Sequence, residues 1–255
     1  MCDINRLQTV VSQYESDVVQ NHDEYENRTY GQLDEVALTP SGKSYWLGLG
    51  HLQLGDAQRA HEWFESSIDG WQWQYETGVE ALDTDALSNA WKIPWKELQR
   101  SLSAAVLSGN ESTARTAAEY VQAELRTELL QQYTVPQRQQ IAALSALVQQ
   151  HSLTADSLDQ FEASIRNLDQ GQQRKLYLAQ LQAMRGIHTR DTTEATAGIR
   201  THLHLHAAYT VDHEDVHITE QCVDVVATTL AVIAHWNDVV INLETEYLRT
   251  ETIVS

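Results

Sequence analysis

Apolar residues recur at three- and four-residue steps along most of the chain, the spacing that lines one face of an α-helix. Residues 4–26 place Ile4, Leu7, Val10, Val11, Tyr14 and Val18 on such a stripe and Asp17, Asp23 and Glu24 away from it, which predicts an amphipathic surface helix. Pro40-Ser41-Gly42 interrupts the pattern, and Ser41 or Ser44 is placed to cap the helix that follows. Trp91, Trp95, Leu98, Leu102 and Ala105 share a face behind Pro94, and Gly109-Asn110 then ends one helix and caps the next, striped by Ala114, Ala117, Val121, Leu125 and Leu129. Thr134-Val135-Pro136-Gln137 has the form of a capping box ahead of Ile141, Leu144 and Leu147. Leu158, Phe161, Ile165 and Leu168 repeat the pattern, as do Leu176, Ala179 and Leu181 through Met184 beyond the Asp169-Gln170-Gly171 break. Two-residue alternation appears first at Val239-Val240-Ile241, where a short extended piece is expected.

One stretch differs from the rest. In Cys222–Trp236, thirteen of fifteen residues are apolar, Thr or Cys and Asp224 is the sole acid, so a helix here must be covered on nearly every side. Its length, about 22 Å at 1.5 Å per residue, falls short of the roughly 30 Å of a bilayer core. It is expected to be the central buried helix of the fold. With three prolines and eleven glycines the chain has little linker material. Together these patterns predict an all-α fold, a single domain over 1–255 of about ten helices in antiparallel hairpins around that helix. Its first half, 1–109, is Trp-rich, and the rest, 110–255, has Gln-rich outer faces.

Within 44–68, SYWLGLGHLQLGDAQRAHEWFESSI, small residues Gly48 and Ala60 allow two helices to approach, Gly55 suits a left-handed cap, Asp56 begins the second helix and Phe64 fills the seam. The segment resembles a tetratricopeptide-type helix hairpin, with His51 in place of the usual tyrosine. No copy follows 34 residues later, so a hairpin is expected and a solenoid is not.

Six of the seven tryptophans lie between Trp46 and Trp95. Such a cluster is either core or an interaction surface. Trp71 and Trp73 are two residues apart and cannot share a helical face, so one of the rings is expected to point outward. Trp71 and Trp73, with Tyr247 near the C-terminus, are the candidate partner-binding residues.

The charge balance alters what partners are expected. Thirty-six acids face 17 bases, giving a formal net charge of −19, and the lysines are only Lys43, Lys92, Lys96 and Lys175. An acid-rich, lysine-poor composition resembles that of salt-accumulating halophilic archaea, where molar salt screens surface repulsion to about 3 Å. A second reading is an acidic surface shaped for a basic partner. Without a basic stripe, nucleic acid is not an expected partner. The N-terminal residues read as an amphipathic helix and not as a leader, so a cytoplasmic protein with no membrane partner is expected. Cys2 and Cys222, far apart in sequence, do not form a disulfide framework and are expected to be free thiols.

Candidate chemistry centres on histidine. His202, His204, His206, His213 and His217 fall within sixteen residues, and His213-Glu214-Asp215-Val216-His217 satisfies HExxH, the spacing that puts two imidazoles on one helical face for zinc with a glutamate base between them. The apolar residues that precede the first histidine in zinc helices are absent; Thr210-Val211-Asp212 reads as a turn. The competing reading has His202, His206 and Tyr209 along a helix seam and His213 and His217 solvated. No phosphate loop or cysteine constellation is present, so neither catalytic residues nor a cofactor or metal are assigned.

From residue 158 onward, FEASIRNLDQ, LHLHAAYT with His206 and Tyr209, the apolar helix Val223–His235 and VVINLETEYLRTETI follow in an order that resembles the C-terminal part of immunity protein family 49, antitoxins of polymorphic toxin systems. Glu246, Tyr247 and Leu248 match that family's closing segment; Arg249 stands where proline is usual, and Trp236-Asn237-Asp238 replaces a glycine turn. The resemblance implies an all-α protein that binds and neutralises a protein toxin without catalysis. A helical scaffold or adaptor and a zinc hydrolase using 213–217 are the alternatives.

Overall fold

The computed structural model describes residues 2–20, 38–81, 95–125, 134–150, 154–210, 217–243, 245 and 247–248. The chain is all-α: the described residues contain eleven helices and no strand. Residues 239–241, where an extended piece is expected, form no strand.

Helix α1 (Ile4–Gln20) lies on α2 (Leu38–Leu54). Helix α2 starts before Pro40 and runs through Pro40-Ser41-Gly42 instead of starting after it. Proline is compatible with a first turn because the N–H it lacks would have no intrahelical acceptor there. Nine of the ten residues from Ser44 to Gln53 are buried, so α2 is packed all round. Gly55, at φ +80, ends it, and the Asp56 carboxylate accepts the Arg59 N–H to open α3 (Ala57–Ala81). Gly48 faces Phe64, and a Cβ there would lie 2.6 Å from the ring, so the hairpin expected from the small residues is present.

Helices α4 (Trp95–Leu107) and α5 (Glu111–Glu124) turn at Gly109 (φ +76) and Asn110, whose side chain accepts from Thr113 N–H. Helix α6 (Val135–Gln149) opens on the Thr134/Gln137 capping box and leads to α7 (Thr154–Arg166). Helices α8 (Gln172–Thr189) and α9 (Thr192–Thr210) form the closest pair: a Cβ on Gly186 would collide with the backbone of Ala195, and one on Gly198 with that of Ala183. A short helix α10 (Ile218–Cys222) precedes α11 (Val225–Trp236).

Helix α11 is the expected central helix, and Ala227 through Ala234 are all buried. It packs on α4, α8 and α9 within a core that runs from Tyr45 to Leu248. It starts three residues later than the apolar run suggests. Val223 is extended at φ −124, and Asp224, also outside the helix, caps α11 by accepting the Ala227 N–H at 3.0 Å.

The thiols are not free: Cys2 and Cys222 form a disulfide, with Cα atoms 4.8 Å apart. Sequence separation hid their proximity, because α1 and α10 both pack on α2 through Leu7, Val11, Leu47, Ile218 and Cys222. Glu15 adds contacts to His51 at 2.9 Å and Arg59 at 3.1 Å, and Lys43 meets Asp17 at 3.0 Å. Isolated ion pairs near the surface contribute little. The disulfide contributes more, since it closes a loop of 220 residues' separation in the unfolded chain. Full reduction is expected to lower stability by about 4 kcal/mol. Melting curves of oxidised and alkylated, reduced protein measure this, and coincident curves would refute it.

Candidate functional site: a buried Asp–His–Gln chain under a polar cleft

Asp224 is a carboxylate inserted into the most apolar part of the sequence, and only 1% of it is exposed. A buried charge requires partners. One carboxylate oxygen takes the Ala227 N–H at the start of α11, and the other faces His202 Nδ1, on α9, at 2.8 Å. His202 Nε2 lies 2.9 Å from Gln180 Nε2 on α8, and Gln180 Oε1 accepts from Gln140 Nε2 on α6 at 2.7 Å. The four side chains form one continuous chain, Gln140 to Gln180 to His202 to Asp224. His206 Nδ1 stands 3.8 Å from the same Asp224 oxygen, with its ring edge-on to Tyr247. The Asp224 N–H is donated to the Tyr247 carbonyl at 3.0 Å, which ties the C-terminal segment to the same point.

Burial pushes the Asp224 pKa upward, but the facing imidazoles of His202 and His206 and the bonds from His202 and Ala227 outweigh it and hold the carboxyl well below its usual range. A cleft of about 540 Å³ opens beside this chain between α4, α6, α8, α9 and the start of α11. Of the side chains that line it, Ser103 Oγ and Gln140 Oε1 are buried without a protein partner. At the rim Arg100 meets Glu220 at 3.3 Å and lies 4.5 Å over the Trp46 ring.

The cleft contains an Asp–His pair but no nucleophile in register with it. His202 Nε2 is occupied by Gln180, and Ser103 Oγ has no hydrogen bond to any base. A serine hydrolase requires that contact.

His217 is not solvated. It caps α10, with Nδ1 accepting from Thr219 N–H, so Nε2 carries the proton, 2.9 Å from the Tyr14 hydroxyl. Its ring stacks on Trp46 at 4.1 Å and on Tyr14 at 5.7 Å. Both nitrogens are engaged, which leaves no lone pair for the zinc suggested by the HExxH spacing; His213, Glu214, Asp215 and Val216 lie outside the described residues. Among the described residues no group of three or more His, Cys, Asp or Glu side chains could hold a metal ion. Of the seam residues, His202 is buried and structural, His206 is half-buried and Tyr209 is exposed.

Among the candidate partner-binding residues, Trp71 proves to be core: it is 3% exposed and packs edge-on to Tyr45 at 5.9 Å. The Trp73 side chain lies outside the described residues, as do Tyr75, Trp91 and Arg249. Tyr247 is half-buried, against His206 and the core. The sequence reading missed Gln140 and Gln180, placed on Gln-rich outer faces. Gln180 lies three residues after Tyr177 and four before Met184, and so on the buried stripe of α8; that spacing was the available signal.

Comparisons with protein-family models, with curated proteins and with solved structures find no match to this chain.

The His217 stack makes stability depend on pH. Burial first, then the charges of Arg100 and Arg6, pushes its pKa down from 6.5 to about 4. The unfolded chain therefore binds the proton more readily, and this contribution is complete above pH 6.5 and lost as pH falls towards 4. Stability measured by denaturant titration is expected to fall across that window, and to fall less in His217→Asn. An NMR titration placing His217 near 6.5 would contradict this account.

Proposed function

We propose that the chain is an immunity protein that binds a protein toxin and neutralises it by surface contact. The observation that carries this reading is the convergence of three of the four segments behind the family resemblance. Helix α9 with LHLHAAYT, the apolar helix α11 and the closing segment meet at Asp224, through the His202 contact, the Ala227 cap and the Tyr247 carbonyl. Segments that form one packed unit account for a shared order of motifs better than four unrelated matches would. The rigid hairpins supply the platform that such binding needs, since most binding energy comes from a few well-packed residues, commonly Trp, Tyr and Arg.

Among the residues nominated from sequence, Tyr247 and Trp73 remain candidates for contact with the toxin, and Trp71 does not. Tyr209, 40% exposed on α9, is a further accessible ring. Among the described residues no helix is long and apolar enough to cross a membrane, and we place the complex in the cytoplasm of a salt-accumulating cell. The Cys2–Cys222 bond then has to withstand a reducing compartment, which intracellular disulfides of some extremophiles do.

Co-expression with protein toxins encoded beside the gene, followed by purification in molar KCl, tests the proposal. A stoichiometric complex is expected, weakened by more than about 2 kcal/mol by Trp73→Ala or Tyr209→Ala with the helical spectrum unchanged. If no toxin is neutralised and none co-purifies, the scaffold reading takes its place.

A further inference from the structure

We propose that the cleft beside Asp224 binds a small, uncharged, polyhydroxylated molecule of monosaccharide to disaccharide size. Its volume, about 540 Å³, lies within the roughly 300–1,000 Å³ of small-molecule sites. This inference is independent of toxin binding and rests on the donor and acceptor pattern of the lining.

Ser103 and Gln140 line the cleft, are 0% and 2% exposed, and leave Oγ and Oε1 without a protein partner. Leaving such atoms unbonded costs on the order of 1–3 kcal/mol each. The Gln140 amide cannot turn to change what it offers, because its Nε2 is committed to Gln180 at the head of the chain ending on Asp224. Gln140 therefore presents an acceptor, and Ser103, which lines the same cleft, can donate or accept. A hydroxyl complements both, donating to one and exchanging with the other.

The charges at the cleft select against an ionised ligand. Asp224 is satisfied by His202 and Ala227 N–H, with the His206 imidazole of the same cleft 3.8 Å from it, and Glu220 by Arg100. A cationic ligand meets no uncommitted carboxylate, and an anionic one meets no uncommitted guanidinium while approaching two acids. An uncharged ligand disrupts neither pair. The wall also carries the apolar side chains of Val223, Val225 and Leu176 and the Tyr177 ring, among the amides of Gln99, Gln172 and Gln173. Apolar side chains and aromatic rings around amides and hydroxyls fit a sugar ring, whose C–H faces are apolar and whose edge carries hydroxyls.

Isothermal titration of the full chain in molar KCl with glucose and maltose, and with glucosamine and glucuronate as charged counterparts, tests this. Saturable binding of an uncharged sugar is expected, weaker by about tenfold or more in Ser103→Ala and in Gln140→Leu and weaker for the charged analogues. Ser103→Ala removes one oxygen and is expected to keep the fold, verified by its melting curve, so it decides the matter even where Gln140→Leu unfolds. Absence of binding by both uncharged sugars, equal affinity in folded Ser103→Ala, or equal or tighter binding of either charged analogue would overturn the proposal.

Discussion

The burial of one carboxylate constrains much of this structure. Asp224 stands at the entry to a helix in which eight consecutive residues are buried, and an unpaired charge there would be incompatible with folding. Its satisfaction recruits the first turn of α11, His202 from α9, Gln180 from α8 and Gln140 from α6. Four helices are thereby fixed in register by directional bonds, which apolar packing does not supply by itself. The same residue binds the C-terminal segment through its own N–H, so the closing residues are placed by the site that orders the core.

The remaining devices act around this centre. The α8/α9 hairpin brings Gln180 and His202 within reach because Gly186 and Gly198 let two backbones approach without intervening side chains. The disulfide holds α1 against α10, immediately before Val223 and Asp224, so the covalent closure lies two residues from the buried carboxylate. His217, stacked on Trp46 and Tyr14, secures the other end of α10. A chain with 36 acids against 17 bases repels itself, and these contacts concentrate cohesion in the interior, where salt has little effect.

The helices were legible because their signals are local. The Gly55-Asp56 turn, the Asn110 cap and the Thr134/Gln137 box are set by residues within four positions of one another, and each appears as expected. The buried chain was not legible, because Gln140, Gln180, His202 and Asp224 are joined only by tertiary packing. The single acid in an apolar run did indicate a buried charge, and His202 with His206, one turn apart, was its available partner. The cysteines failed for the same reason: 220 residues of separation carry no information about two helices that share a third. The HExxH spacing was set aside because its meaning depends on what surrounds it, and its last residue, His217, lies in an aromatic stack.

The account stands on the coupling between Asp224 and the helices that satisfy it. A double-mutant cycle of Asp224→Ala and His202→Ala, read by chemical denaturation, measures that coupling directly. Each single change is expected to cost about 2–4 kcal/mol, through the lost cap or the stranded partner, and the double variant less than their sum by at least about 1.5 kcal/mol. Additive losses within about 0.5 kcal/mol would show that the two residues act independently, and the chain from Gln140 to Asp224 would no longer explain how the core is held.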